Sequence, residues 1–286
     1  MALILSHFQR GDFERVLALK DEALSQAEAR FDLGLFLYMG ALCAASWSLA
    51  LLGRWDEAVQ EAQKALDAAA RVSDHRLAST AAWSISFAYS FKGDLDRAIR
   101  FAELSVEKAP TPLDRVMGQA YLGWAWCRAG LVDKGVELLS SVVEAGRAVG
   151  FRTLEYSFAF CLGEGYILAG QYDKAREILT EHLELAKGCG GRWGMGCSHR
   201  LLGEVALKTN PEEAAPYFDN AIEIFREIKA ENELAKAYSG MGRLHKLLGE
   251  HADARRYLTQ ALEIFERLGT LIEPDKVRKE LGEVPA

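Results

Sequence analysis

Apolar residues in this chain fall three or four positions apart, along stretches long enough to be helices, and a glycine cuts these stretches at near-regular intervals. The segment LGEGYILAGQYDKAREILTEHLEL, 162–185, shows the unit: an apolar face, Gly170, then a second apolar face that begins at Ala175. The same joint begins at Gly11, Gly53, Gly93, Gly130, Gly170, Thr209 and Gly249, a period of about 40 residues. Five positions past the joint stands a small residue: Ala58, Ala98, Gly135, Ala175, Ala214 or Ala254, with Val16 the exception. Thirteen past it stands an aliphatic in every case: Leu24, Leu66, Val106, Val143, Leu183, Ile222 and Leu262. Before it, Ile85, Leu122, Leu162, Leu202 and Met241 share one face with Tyr89, Trp126, Tyr166 and His245. These offsets lie on a single helical face on each side of the joint. The chain therefore predicts helix, short turn, helix, repeated seven times.

The acid three positions past the joint (Glu14, Asp56, Asp96, Asp133, Asp173 or Glu212) falls in the first turn of the second helix. Carboxylates are favoured there by the unpaired N–H groups and the positive end of the helix dipole. Its recurrence therefore follows from the fold and requires no ligand. In the sixth repeat Asn210-Pro211 replaces the glycine joint. Proline is tolerated at a helix start because its missing N–H would have been unpaired anyway. Gly269 and Pro274 predict a helix stop followed by a short closing helix, so 270–286 is expected to cap the stack.

The pattern L-G-x-x-Y-x-x-x-G-x-x-x-x-A resembles that of the tetratricopeptide repeat. Leu162, Gly163, Tyr166, Gly170 and Ala175 match it fully, and Leu122, Gly123, Trp126 and Gly130 match with Trp for Tyr. Met241, Gly242, His245, Gly249 and Ala254 match more loosely. Only Pro110 supplies the family's closing proline, and the long spacing resembles the variant with an extended second helix. The resemblance implies an all-α, right-handed superhelical solenoid of about seven antiparallel helix pairs, forming a single domain over residues 1–286. The C-terminal segments are similar to the terminal arrays of bacterial signalling proteins that carry cyclase or STAND-type ATPase modules. Ten residues precede Gly11, too few for a complete first helix, which suggests that a domain of the same polypeptide precedes this one.

Composition narrows the function. Half the residues are apolar and the net charge is −7. An acidic chain has no general attraction to nucleic acid or anionic lipid, so neither is expected as a partner. No uninterrupted apolar run is long enough to span a bilayer, and the N-terminus lacks the pattern of a signal peptide. The five cysteines are widely spaced, without CxxC, and read as reduced thiols of a cytoplasmic protein. No phosphate-cradling GxxxxGK[ST] occurs, no nucleophile elbow, and no HExxH. Cys189, Cys197 and His199 match no common zinc spacing. No cofactor, metal or catalytic residue is therefore expected.

What remains is a binding surface. By the resemblance, the first helix of each repeat lines an inner groove, with exposed positions ten and six before the joint. In repeats two to four these positions include Trp47, Trp83, Phe87 and Trp124; in repeats five to seven they include Phe160, Glu164, Arg200, Glu204 and Arg243. Tryptophan is an effective interface anchor, so the stripe fits an apolar trough for a peptide or helix, next to a polar end. Alternatively, the long helices bring these aromatics against neighbouring repeats. The expected function is a non-catalytic protein-interaction module binding a peptide, a helix or a partner domain. The alternative is a ligand-sensing regulatory array of a larger signalling protein. Self-association stays open.

Overall fold

The computed structural model describes residues 2–28, 31–148, 150 and 152–285, with the side chains of 26–28, 31–39, 152 and 153 outside the description. The described residues form fifteen α-helices. They are α1 (Ala2–Arg10), α2 (Phe13–Glu28), α3 (Phe31–Leu51), α4 (Trp55–Val72), α5 (His75–Lys92), α6 (Leu95–Lys108), α7 (Pro112–Arg128) and α8 (Val132–Ala148). There follow α9 (Arg152–Leu168), α10 (Tyr172–Cys189), α11 (Arg192–Thr209), α12 (Ala214–Glu227), α13 (Glu231–Leu247), α14 (His251–Leu268) and α15 (Glu273–Gly282). Residues 1–145 and 146–286 form two compact units. Within each unit the odd-numbered helices pack on one another, α1 on α3, α3 on α5 and α5 on α7 in unit 1, α9 on α11 and α11 on α13 in unit 2. Of the even-numbered helices, α2, α4, α6, α10, α12 and α14 each pack against the odd helices before and after them in the chain.

The joints work as backbone devices. Gly11, Gly53, Gly93, Gly130, Gly170 and Gly249 all have φ between 71° and 90°, the left-handed region that a side chain disfavours. In the sixth repeat Asn210 at φ −149° leads into a short 3-10 turn at Pro211–Glu213 instead. Asp56, Asp96 and Asp173 lie in first turns as expected, but none of them is the cap. The capping carboxylates are Asp12 and Asp94, each next to its glycine, which accept from the Arg15 and Arg97 N–H groups; Gln171, the residue in the matching place before α10, makes no side-chain cap.

A second device clasps five of the seven turns. The aromatic four before the joint meets a base four after it: Arg97 over Tyr89 at 5.5 Å, Lys134 over Trp126 at 3.9 Å, Lys174 over Tyr166 at 5.6 Å. Such pairs contribute about 0.5–1 kcal/mol at exposed sites. The first and last repeats use histidine and an acid: His7 with Asp12 at 3.0 Å and His245 with Glu250 at 2.5 Å.

Packing inside each pair follows a volume rule. Seven positions before the joint, or six in the sixth repeat, Gly123, Gly163, Gly203 and Gly242 face Leu139, Leu179, Phe218 and Leu258 of the following helix. In repeats two and three the glycine is replaced by Ser46 and Ser86, and the facing residue shrinks to Ala62 or Ala102; Ser86 then donates to the Ala98 carbonyl. A Cβ on Gly163 would lie 2.6 Å from Leu179. Gly163→Ala is therefore expected to destabilise the protein by about 1–3 kcal/mol. Adding Leu179→Ala should cost less in urea unfolding than Leu179→Ala costs alone, because it removes the clash that the new methyl creates. If the double variant is as unstable as the sum of the singles, the volume rule does not hold.

Candidate functional site

The aromatic stripe of unit 1 is real, and most of it faces inward. Trp47 on α3, Trp83 on α5 and Tyr121 on α7 stack face to face, with centroids 4.7 Å apart at each step and planes within 16° and 6°. Phe8 of α1 meets Trp47 edge-on at 5.8 Å. Phe87 stands at right angles to Tyr121, and Phe91 packs on Trp124 at 5.2 Å. Trp47, Trp83 and Tyr121 stand six, ten and nine positions before their joints, and lateral packing of the odd helices brings these three rings into line across successive repeats. Offset stacking and edge-to-face contact satisfy the ring quadrupoles.

This arrangement corrects the expected exposure. Trp83, Phe87 and Trp124 are buried, Trp124 to 2%, because aromatic rings of a neighbouring repeat pack on each of them. Trp47 alone of these four is half-buried. Its indole N–H donates to the Ser84 hydroxyl at 2.8 Å, and that hydroxyl donates to the Thr80 carbonyl. Cys43, beside the same serine, has its thiol pushed up to about 12 by burial, so it stays protonated and unreactive.

In unit 2 the odd helices carry charge. Glu164 on α9 is half-buried. Arg200 on α11, 7% exposed, donates its Nε–H to Glu233 of α13 at 3.0 Å. Lys236 reaches the same carboxylate at 2.6 Å. One turn further along, Glu204 of α11 accepts both guanidinium arms of Arg243 of α13, at 2.8 and 2.5 Å. Arg243 also lies 3.7 Å from Glu280 of α15, which accepts from Ser239 at 3.3 Å. Burial lowers the guanidinium pKa of Arg200, but Glu233 above all, then Glu164, outweigh it and hold the group above its ordinary value. Burial pushes the Glu280 carboxyl up, opposed by Arg243 and Ser239.

Of the expected residues in unit 2, Glu164, Glu204 and Arg243 are half-buried and reach solvent. Arg200 and Phe160 do not: they are buried, the first under its ion pair with Glu233, the second against Trp193 and His182. Tyr121, Glu233, Lys236 and Glu280 belong to these assemblies and escaped the sequence reading. A visible signal existed for Tyr121, an aromatic near the offset of Trp83 one repeat later. No comparable signal marked the charged partners.

Four cysteines are buried and Cys189 is exposed, all free. Among the described residues no group of three or more His, Cys, Asp or Glu is placed to hold a metal ion. Among the same residues no helix is long and apolar enough to cross a membrane.

The family model described as tetratricopeptide repeat matches residues 43–110, 153–227 and 194–267. Among solved structures, the chain is similar to a Rap protein complexed with competence and sporulation factor: 13% identity, TM-score 0.63, covering 98% of this chain and 86% of that one. It is similar to BtubC (BKLC) from P. vanneervenii: 14% identity, TM-score 0.53, covering 81% and 94%. It is also similar to aspartyl phosphate phosphatase F from Bacillus subtilis: 15% identity, TM-score 0.54, covering 97% and 76%.

Proposed function

Because the chain belongs to the tetratricopeptide repeat family, we propose that it is a non-catalytic protein-interaction module that takes a peptide or a partner's helix on its odd-helix layer. One observation carries this: Glu164, Glu204 and Arg243 stand half-buried on the odd helices of unit 2, the last two already locked in a bidentate pair. Side chains held in place lose little freedom on binding, which lowers the cost of recognition. In unit 1 the half-buried Trp47 offers an apolar edge backed by a rigid stack. The Rap protein of like fold was solved with the competence and sporulation factor, which favours a second version of the proposal: a sensory array in which the bound ligand regulates an attached domain.

A random peptide library displayed on phage tests the placement. Enriched peptides are expected to bind Glu164→Gln and Arg243→Gln about tenfold more weakly, a loss of about 1.4 kcal/mol, with folding intact by circular dichroism. They should bind Glu223→Gln, an exposed change on α12, like the unaltered protein. Equal losses on α12, or none on the odd layer, would place binding elsewhere.

A further inference from the structure

The core position twelve past each joint is occupied by a small or aliphatic residue in six repeats: Ala23, Ala65, Ser105, Val142, Ala221 and Ala261. In the fifth it is His182, 1% exposed. A titratable ring thus sits where the fold elsewhere uses a methyl, an isopropyl or a hydroxyl, and it ties three helices together. From α10, its Nε2 donates to the Tyr156 carbonyl of α9 at 2.9 Å, since a carbonyl can only accept. Its Nδ1 lies 2.6 Å from the Ser198 hydroxyl of α11. The ring stacks on Tyr156 at 5.4 Å and tilts against Phe160 at 5.8 Å. Its Cε1 lies 3.3 Å from where a Cβ on Gly194 would stand, so α11 closes tightly over it.

We propose that His182 is the bolt of an acid-released latch, and that protonating its imidazole frees α9 from α10 and α11. The neutral ring satisfies both nitrogens, donating to Tyr156 and accepting from Ser198. The imidazolium would keep two hydrogen bonds but bury a charge, and its hydrogen-bond partners among the described residues, the Ser198 hydroxyl and the Tyr156 carbonyl, are both neutral. The Glu155 charge favours the imidazolium, but the charged and titratable groups around the ring are otherwise paired or stay neutral in acid. Glu155 of α9 is committed to Arg147 of α8 at 2.7 Å. Glu181, next to it on α10, pairs with the same arginine. Tyr156 and Cys197 have their pKa values raised, mainly by burial, and stay neutral in acid. Burial accordingly holds His182 down at about 4, against the Tyr156 carbonyl and the Glu155 charge.

An opened imidazole titrates near 6.5. Between about 6.5 and 4 the open state takes a proton that the closed state refuses. The closed state is therefore at full strength above that window and weakens as the pH falls through it. From pH 7 to pH 5 the open population should rise roughly twentyfold. Because α9 carries Phe160 and Glu164, partner binding on that face would fall with it; this consequence rests on the proposed function, whereas the latch does not.

The test uses the full chain and no partner. Hydrogen exchange at pH 7 and pH 5, corrected for intrinsic rates, should show protection falling roughly twentyfold in α9–α11 and little in α5–α6. In His182→Gln the fall in α9–α11 should vanish. The imidazole resonance of His182, identified by its absence from that variant, should show no titration down to about pH 5. A folded-state titration near pH 6.5, equal loss across both units, or the same fall in His182→Gln would overturn the latch. If His182→Gln does not fold, the unaltered protein still decides through the regional pattern of protection at the two pH values.

Discussion

Replacing Glu233 with alanine is expected to lower the stability of unit 2 by about 3–5 kcal/mol. Glu233 is 2% exposed and accepts from both Arg200 and Lys236. Its removal leaves a buried guanidinium facing an apolar hole, far from the water that would otherwise solvate it. The pair itself is worth much less than this loss, because desolvating both ions offsets most of their attraction. Arg200→Met with Glu233→Leu and Lys236→Met, which removes every charge of the group, should therefore unfold at a urea concentration close to that of the unaltered protein, while Glu233→Ala alone unfolds far earlier. Glu204→Ala should be milder, near 1 kcal/mol, because its partner Arg243 is half-buried and can turn to water. A Glu233→Ala variant with an unchanged urea midpoint would show that water reaches this pair.

The joints could be read from the chain because they depend on local backbone geometry. A backbone turn with φ near 77°, as at Gly53 or Gly249, favours glycine whatever lies beyond it. The helix pairs were equally visible, since a 3.6-residue period is a property of one segment. Lateral packing was not. The cover over Trp83 comes from Tyr121 and Trp47, each about one repeat of roughly 40 residues away, and a pattern within one repeat says nothing about its neighbour. Trp124 could thus be placed on the correct helix and the correct layer, yet given the wrong exposure. The partners of Arg200 escaped for the same reason: Glu233 lies on the next odd helix, at an offset not shared with the joint-centred pattern. His182 escaped because a single histidine among six, scattered through the chain, carries no motif. Only the small residues at its register in the other repeats mark it as unusual.

The double change Trp83→Ala with Trp124→Ala is expected to unfold unit 1. Each ring is fully or nearly fully buried, and removing a buried tryptophan costs about 3–5 kcal/mol. Natural domains hold only about 5–15 kcal/mol in total. The two rings are linked through Phe87, which lies 6.3 Å from Trp124 and 6.0 Å from Tyr121, itself stacked on Trp83. Their losses therefore need not add, but even one leaves little margin. Limited proteolysis should cut within α3–α7, and the near-ultraviolet circular dichroism of the stacked indoles should collapse. A double variant that melts with the unaltered protein would mean the stack is not part of the core. The consequence for any binding assay is direct. Loss of a partner in that double variant would report unfolding, not recognition. Trp47 is the aromatic to vary instead: it is half-buried, and if its indole is removed Ser84 still has the Thr80 carbonyl to bond. Recognition by an apolar edge in unit 1 therefore stands or falls with Trp47→Ala, with the rest of the stack left to hold the odd helices in register.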